Sequence, residues 1–190
     1  MAHAGDGIIM KYLISLYFDD STNKKIFEHM KAVAYATGND YMLKNSVPPH
    51  ITISSFELDK EEDSPEIRWL EQSMGAVLQN TGAGELQWVG CGAFMSSVLY
   101  LAPVLNEYLQ TLMEQLYACV SDCPDAVISR YYRPYEWLAH TTIGKKMSAE
   151  QLTQGFHAVQ GSFHIIKGKV VRIGLAKANP YEEISEWILK

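Results

Sequence analysis

Two short stretches decide the fold: residues 48–56 read PPHITISSF, and residues 138–145 read LAHTTIGK. Each contains a histidine with a threonine two positions later, and among the six histidines of the chain only His50 and His140 have that neighbour. Pro48 and Pro49 favour extended backbone before the first motif. Because strand side chains alternate between two faces, each histidine and its threonine point to the same side. We therefore predict two motif strands, each presenting one imidazole and one hydroxyl.

The elements around the motifs repeat in order. Each half reads strand, helix, motif strand, helix, strand, with the motif histidines at matching places. The predicted strands span 12–18, 50–56, 86–93, 98–102, 138–145 and 163–178 (the last a long strand or a hairpin), and the helices run from 19–21 to 36, 65–79, 104–120 and 148–159. Internal duplication predicts two similar α+β lobes facing each other across a shared cleft. Five elements cannot cover both faces of a sheet, so the lobes should form one cooperative unit.

Length and composition fit one domain. A chain of 190 residues that is 47% hydrophobic can bury one good core. We expect a loose leader at 1–10 and a single domain at 11–190, with lobe one at about 11–93, lobe two at about 96–190, and strand exchange between lobes allowed. The third helix should turn a leucine stripe to the core: Leu105, Leu109, Leu112 and Leu116.

Net charge and cysteine content narrow the range of possible functions and cellular locations. A net charge of −6 argues against a broad basic surface for long duplex nucleic acid, but a short anionic ligand needs only a few local cations. The three cysteines lack redox or zinc spacing, which favours reduced thiols in a cytoplasmic protein. No apolar run reaches the ~20 residues of a membrane helix. We expect a monomer without membrane association.

Two mirrored His/Thr pairs suit cleavage of a phosphodiester. The attacking water must lose a proton and the leaving oxygen must gain one, and imidazole does both near neutral pH. Two threonine hydroxyls can donate to the non-bridging oxygens, where charge grows in the transition state. The predicted catalytic residues are therefore His50, Thr52, His140 and Thr142. This arrangement requires no metal and no cofactor, and it leaves open which histidine is the base.

The two motifs, with GAFMSSVLYLAP at 92–103 between them, resemble the 2H phosphoesterase superfamily over roughly residues 11–190. That superfamily includes bacterial RNA 2',3'-cyclic phosphodiesterases and the so-called 2'-5' RNA ligases. The resemblance implies a bilobal α+β fold with two antiparallel sheets, and hydrolysis of a 2',3'-cyclic phosphate to a 2'-phosphate. Some relatives instead join or cleave 2'-5' linkages. This chain departs from the pattern at Ala139, where many relatives have proline, and at the polar Thr141.

Arginines and aromatic rings crowd the approach to His140. Arginine can hold phosphate and a ring can stack on a base, so this segment and the middle strands supply the predicted substrate-binding residues: Arg130, Tyr132, Arg133, Trp137, Phe94 and Tyr100. The alternative is that the loop rings fill gaps between lobes and the strand rings pack in the core. Lys145, five residues after His140, should point away from the site unless the strand bends.

Two other functions compete with the phosphodiesterase. One is an RNA- or nucleotide-binding module of the same fold without useful turnover, although such a module has little need for mirrored proton donors and acceptors. The other is a metallohydrolase, which usually adds carboxylates or cysteines at short spacing. Only Glu57 and Glu136 lie near a motif, and neither has ligand spacing. The substrate remains open among an RNA end, a free cyclic nucleotide, an ADP-ribose cyclic phosphate and a 2'-5' oligonucleotide.

Overall fold

A computed structural model describes residues 9–94 and 96–190 of the chain. Its strands are β1 (Met10–Phe18), β2 (His50–Leu58), β3 (Gly84–Phe94), β4 (Val98–Pro103), β5 (Val127–Ile128), β6 (Thr141–Lys145), β7 (Ile166–Ala178) and β8 (Tyr181–Ile188). Its helices are α1 (Asp20–Thr37), α2 (Tyr41–Lys44), α3 (Pro65–Leu78), α4 (Glu107–Ser121) and α5 (Ala149–Gln160), with a 3-10 turn at Arg130–Tyr132. Residues 1–8 of the predicted leader lie outside the described part, whereas Met10 is already the first residue of β1 and pairs with Leu58 of β2.

The strands form one antiparallel sheet in the order β5-β2-β1-β7-β3-β4-β6, with β8 paired to β7. The α+β class is therefore confirmed. The resemblance implied two sheets, but the described strands make one, because β7 is long enough to join both halves. Its residues from Val170 to Lys177 pair with β1, and those from Ile166 to Val170 pair with β3.

The predicted repeat of strand, helix, motif strand, helix, strand is present as β1-α1-β2-α3-β3 and β4-α4-β6-α5-β7. The halves exchange strands: β3 follows the first motif in sequence but pairs with β4 and β7, and β5 from the second half pairs with β2. Three elements were not predicted from the sequence: α2, β5 and β8, the last of which lies beyond the strand or hairpin predicted at 163–178.

One face of the sheet is apolar and covered by helices. In β1, four alternate side chains are 0–3% exposed: Tyr12, Ile14, Leu16 and Phe18. They share a single core with Ile26 and Met30 of α1. Ser15 and Tyr17 alternate with them and therefore lie on the opposite face. That second face carries the motifs.

Polar side chains fix where the helices begin. Asp19 caps α1, and Ser148 forms a capping box with Gln151 at the start of α5, the helix predicted from residue 148. Asn106 caps α4, so this helix begins later than predicted. Leu105 consequently lies outside the helix and is 50% exposed, while the other three leucines of the stripe are buried. In the described ranges, no helix has the length and apolar character needed to cross a membrane.

Candidate active site

The two motifs meet although their strands are distant in the pairing order. Four strands separate β2 from β6 in the sheet, yet these two strands contact each other. The sheet must therefore curve strongly, with the motif face on its inside. His50 begins β2, and His140 immediately precedes β6.

The register across β1 and β2 places the first motif on the inner face. His50 pairs with Tyr17, and Thr52 pairs with Ser15. The register then shifts, because Ile14 pairs with Ser54 and the residue between Thr52 and Ser54 has no partner in β1. Such a two-against-one pairing is a β-bulge.

The second motif carries a bulge at the same place. Thr142 pairs with Tyr100 and Gly144 pairs with Leu99, so Ile143 is the extra residue. In both motifs the bulge follows the threonine directly. The duplication inferred from sequence thus extends to the β-bulge, a feature of the backbone that the sequence does not predict.

The second bulge changes the direction of Lys145. A side chain at Gly144 would point at Val33 of α1, which places Gly144 on the helix-covered face. Lys145 pairs with Val98, two residues from the Tyr100 that faces Thr142, and so lies on the inner face. The prediction that Lys145 points away is wrong, because the bulge reverses the alternation.

Both histidines are anchored in the same way. The Nδ1 atom of His50 lies 2.8 Å from the carbonyl oxygen of Pro48, and that of His140 lies 2.7 Å from the carbonyl oxygen of Leu138. A carbonyl oxygen only accepts, so each Nδ1 carries a proton and donates. In the neutral ring Nε2 is then left as the proton acceptor. His164 makes the same bond to Ser162, so this contact alone does not define a site.

The electrostatics of the two rings are coupled. Burial lowers the pKa of His50, and the charges of His140 and Lys145 lower it further, while the hydrogen bond to Pro48 opposes these effects. Burial also lowers the pKa of His140, against the opposing hydrogen bond to Leu138. The charge on His140 therefore acts on the imidazole of His50 across the inner face.

Aromatic side chains surround His140. The ring of Phe94 meets the imidazole edge to face at 4.8 Å between centroids, and Tyr100 does so at 5.7 Å. A side chain at Gly92 would come within 2.6 Å of the Tyr100 ring, so glycine there is what lets this ring lie across the strand. Both predicted strand rings thus contact the second motif histidine, and both are half-buried.

A different set of groups surrounds His50. The ring of buried Tyr17 lies 6.2 Å from the imidazole, and the guanidinium of Arg172 stacks on that tyrosine at 4.0 Å. Arg172 is in turn paired with Glu183 and Glu186 of β8. Sequence reasoning missed Tyr17 and Arg172, since only strand pairing brings them level with His50.

The predicted loop residues divide into two groups. Trp137 is half-buried, and its Nε1 donates to the backbone carbonyl of Thr52 at 3.2 Å. Tyr132 is also half-buried. Arg130 and Arg133 are exposed, and Arg130 donates to the hydroxyl of Tyr131 at 2.7 Å. The segment is thus tied to the first motif, with its guanidinium groups facing solvent.

The polar middle residue of the second motif has a structural partner. Thr141 is fully buried, and its hydroxyl accepts a hydrogen bond of 3.0 Å from Nε1 of buried Trp88. Its counterpart in the first motif, Ile51, is equally buried. A polar side chain is tolerated at this core position because the indole satisfies it.

The motifs lie outside any cluster of metal ligands that the described residues form. Within residues 9–94 and 96–190, no group of three or more histidine, cysteine, aspartate or glutamate side chains could hold a metal ion. The three cysteines are free thiols, of which Cys119 and Cys123 are buried. The donor set at the motifs is therefore imidazole and hydroxyl, with Lys145 as the nearby cation.

Comparison with protein families gives a clear result. Residues 19–181 match the model of the 2'-5' RNA ligase superfamily. This match covers well over half of the chain, and the chain therefore belongs to that superfamily, as its resemblance to the 2H phosphoesterases indicated. A search among curated proteins found no match.

Solved structures share the fold across nearly the whole chain. LigT of E. coli, complexed with 3'-AMP, superposes with a TM-score of 0.65 at 13% identity, covering 96% of this chain and 99% of LigT. A structure described as a phosphoesterase gives 0.63 at 14% identity, with coverages of 96% and 99%. The protein TT0787 of Thermus thermophilus gives 0.62 at 14% identity, with coverages of 95% and 98%. At such identities the likeness concerns the fold.

Proposed function

We propose that this chain is a phosphodiesterase that hydrolyses 2',3'-cyclic phosphate ends of RNA or nucleotides by acid-base catalysis with His50 and His140. The observation that carries the proposal is the mirrored setting of the two rings. Each Nδ1 is held by the carbonyl two residues earlier, and the charge of His140 lowers the pKa of His50. Each ring therefore directs an ionisable Nε2 away from its anchor.

In the proposed step, water attacks phosphorus while a neutral imidazole takes its proton through Nε2. The bond from phosphorus to the 3' oxygen breaks, and the other ring, as imidazolium, donates its proton to that oxygen. The product carries a 2'-phosphate and a free 3' hydroxyl. Thr52 and Thr142 would donate to the non-bridging oxygens as their charge increases. Either histidine can take either role in this geometry.

The remaining predicted residues would bind the rest of the substrate. Phe94 and Tyr100 flank His140 and would line the nucleoside pocket, while the approach segment offers Arg130, Tyr132, Arg133 and Trp137. Structures of E. coli LigT with 3'-AMP, with ATP and with phosphate support nucleotide binding by this fold, and we extend that property to this chain. Cleavage of 2'-5' linkages would use the same acid and base.

Proton transfer without a metal fits the donor set. Among the described residues, no group of three or more histidine, cysteine, aspartate or glutamate side chains could complete a metal site with the motif histidines. We also propose that the protein acts as a monomer in the cytoplasm, where its thiols stay reduced.

The test is hydrolysis of a short RNA ending in a 2',3'-cyclic phosphate, in EDTA, by the wild type, His50→Ala and His140→Ala. We expect turnover to a 2'-phosphate by the wild type and a fall in kcat of about 10²-fold or more in each variant. His164→Ala is the matched control, because it removes an exposed histidine with the same Nδ1 contact. An inert wild type that still binds RNA would make the chain a binding module, and activity abolished by EDTA would indicate a metallohydrolase.

A further inference from the structure

The segment of residues 129–138, here called the strap, is bound to β2 at both ends. The backbone N–H of Ser129 donates to the carbonyl of Ser55 at 2.9 Å. The indole of Trp137 donates to the carbonyl of Thr52 at 3.2 Å. The residues between these bonds therefore arch out from the strand that carries the first motif. Whatever the middle of the strap binds is held beside that motif.

The middle of the strap exposes a strained aromatic residue. Tyr135 has a φ of 67°, a conformation unfavourable for a bulky side chain, and it is 93% exposed. Packing within the chain does not offset the energetic cost of that backbone conformation, because the ring is almost entirely in solvent. An exposed ring in this position offers a nucleobase a face on which to stack.

The strap also carries a local excess of positive charge. It contains two arginines and one acid, Glu136, in a chain whose net charge is −6. Arg133 is exposed, and the guanidinium of exposed Arg130 lies 4.8 Å from the centre of the Tyr131 ring. Alternating cations and rings complement a single strand, whose phosphates and bases also alternate.

We propose that the strap binds the nucleotides that precede the terminal phosphate, so that the preferred substrate is the end of a single-stranded RNA and not a free mononucleotide. This inference rests on the proposed function, because it takes the reacting phosphate to lie between the two motifs. Tyr135 stacks on a base of the upstream strand, and Arg130 and Arg133 contact its phosphates. Tyr135 touches no reacting atom and acts on specificity.

The first readout is kcat/KM for a mononucleotide 2',3'-cyclic phosphate and for a tetranucleotide with the same end. We expect the wild type to prefer the tetranucleotide by about tenfold or more, the effect of one stacked base. Tyr135→Ala should lose this preference and keep the mononucleotide rate, and Tyr135→Phe should retain it because the ring remains. Tyr35→Ala removes a tyrosine of α1 that is 95% exposed, and serves as the control.

The second readout separates this inference from the catalytic proposal. Binding of the corresponding 2'-phosphate products is measured by fluorescence anisotropy for the same variants. Tighter binding of the tetranucleotide, lost in Tyr135→Ala, supports the strap even if no turnover is found. Equal affinity and equal kcat/KM for both lengths would overturn the proposal that the strap binds upstream nucleotides. The proposed phosphodiesterase activity would still stand.

A third readout tests the arginines. Single-stranded nucleic acid loses affinity with salt in proportion to the phosphates neutralised, at a slope of about 0.7 for each contact. Arg133→Gln should therefore reduce the salt dependence of tetranucleotide binding by about that amount. An unchanged salt slope in Arg133→Gln would contradict a phosphate contact by this residue.

Discussion

The indole of Trp137 donates a hydrogen bond to the backbone carbonyl of Thr52, and so joins the approach to the second motif to the strand of the first. The bond spans 85 positions of sequence and joins the segment that precedes β6 to β2, a strand that does not pair with β6 in the sheet. It therefore helps to set the distance between the two histidines. Acid-base catalysis depends on that distance, because both rings must reach one phosphate.

Replacing Trp137 with phenylalanine keeps an aromatic ring and removes this donor. We expect the free energy of unfolding to fall by about 1 kcal/mol, the usual value of one hydrogen bond. We also expect kcat for cyclic phosphate hydrolysis to fall about tenfold, since small displacements of reacting groups are costly. Urea unfolding and steady-state kinetics measure the two effects. Trp69→Phe on α3 is the control, and an unchanged kcat in Trp137→Phe would deny the bond a role in positioning.

The adjacent Thr141 and Thr142 should respond in opposite ways to replacement by valine. Thr141→Val leaves the buried indole N–H of Trp88 without its acceptor, which should cost about 1–3 kcal/mol of stability while kcat changes little. Thr142→Val removes a proposed donor to the transition state and should lower kcat about 10²-fold at nearly constant stability. Thermal unfolding and kinetics on both variants decide the matter. The reverse pattern would assign the catalytic hydroxyl to Thr141.

Local rules predicted much of this arrangement. Strand alternation placed His50 and Thr52 on one face, and the repeated order of elements predicted that the two motifs would face each other. The pairing of β7 with both β1 and β3 could not be read in the same way, because partner choice in a sheet depends on residues far apart in sequence. Lys145 was misplaced for a related reason: a bulge exists only relative to the partner strand. The ring of Tyr17 reaches His50 only through the pairing of β1 with β2.

Activity should decline as the pH rises above 6.5. The active form needs one neutral and one protonated histidine, and burial lowers the pKa of both His50 and His140 from the reference of 6.5. The singly protonated form is then most abundant below pH 6.5, and above that point it is lost about tenfold per pH unit. We expect log kcat/KM to fall between pH 6.5 and 8 when initial rates are measured on folded protein. A flat or rising profile in this range would contradict the His/His pair.

Lys145→Gln should move that profile toward higher pH. The positive charge of Lys145 helps to lower the pKa of His50, so its removal lets the pKa of His50 rise and shifts the optimum in the same direction. Loss of a cation from the inner face should also raise KM for the anionic substrate by about two- to fivefold, as expected for an exposed charge. Both effects should weaken in 1 M salt, where the Debye length is about 3 Å.

The neighbouring Lys146 provides the matched control for Lys145→Gln. Its ammonium lies over the ring of Tyr41, 4.8 Å from the centroid, so Lys146→Gln removes the same charge one position further along the chain. We expect the pH profile and KM of this variant to stay at wild-type values. If both glutamine variants shift the pH profile equally, the effect comes from the overall charge of the protein. The bulge that turns the side chain of Lys145 to the inner face would then have no bearing on catalysis.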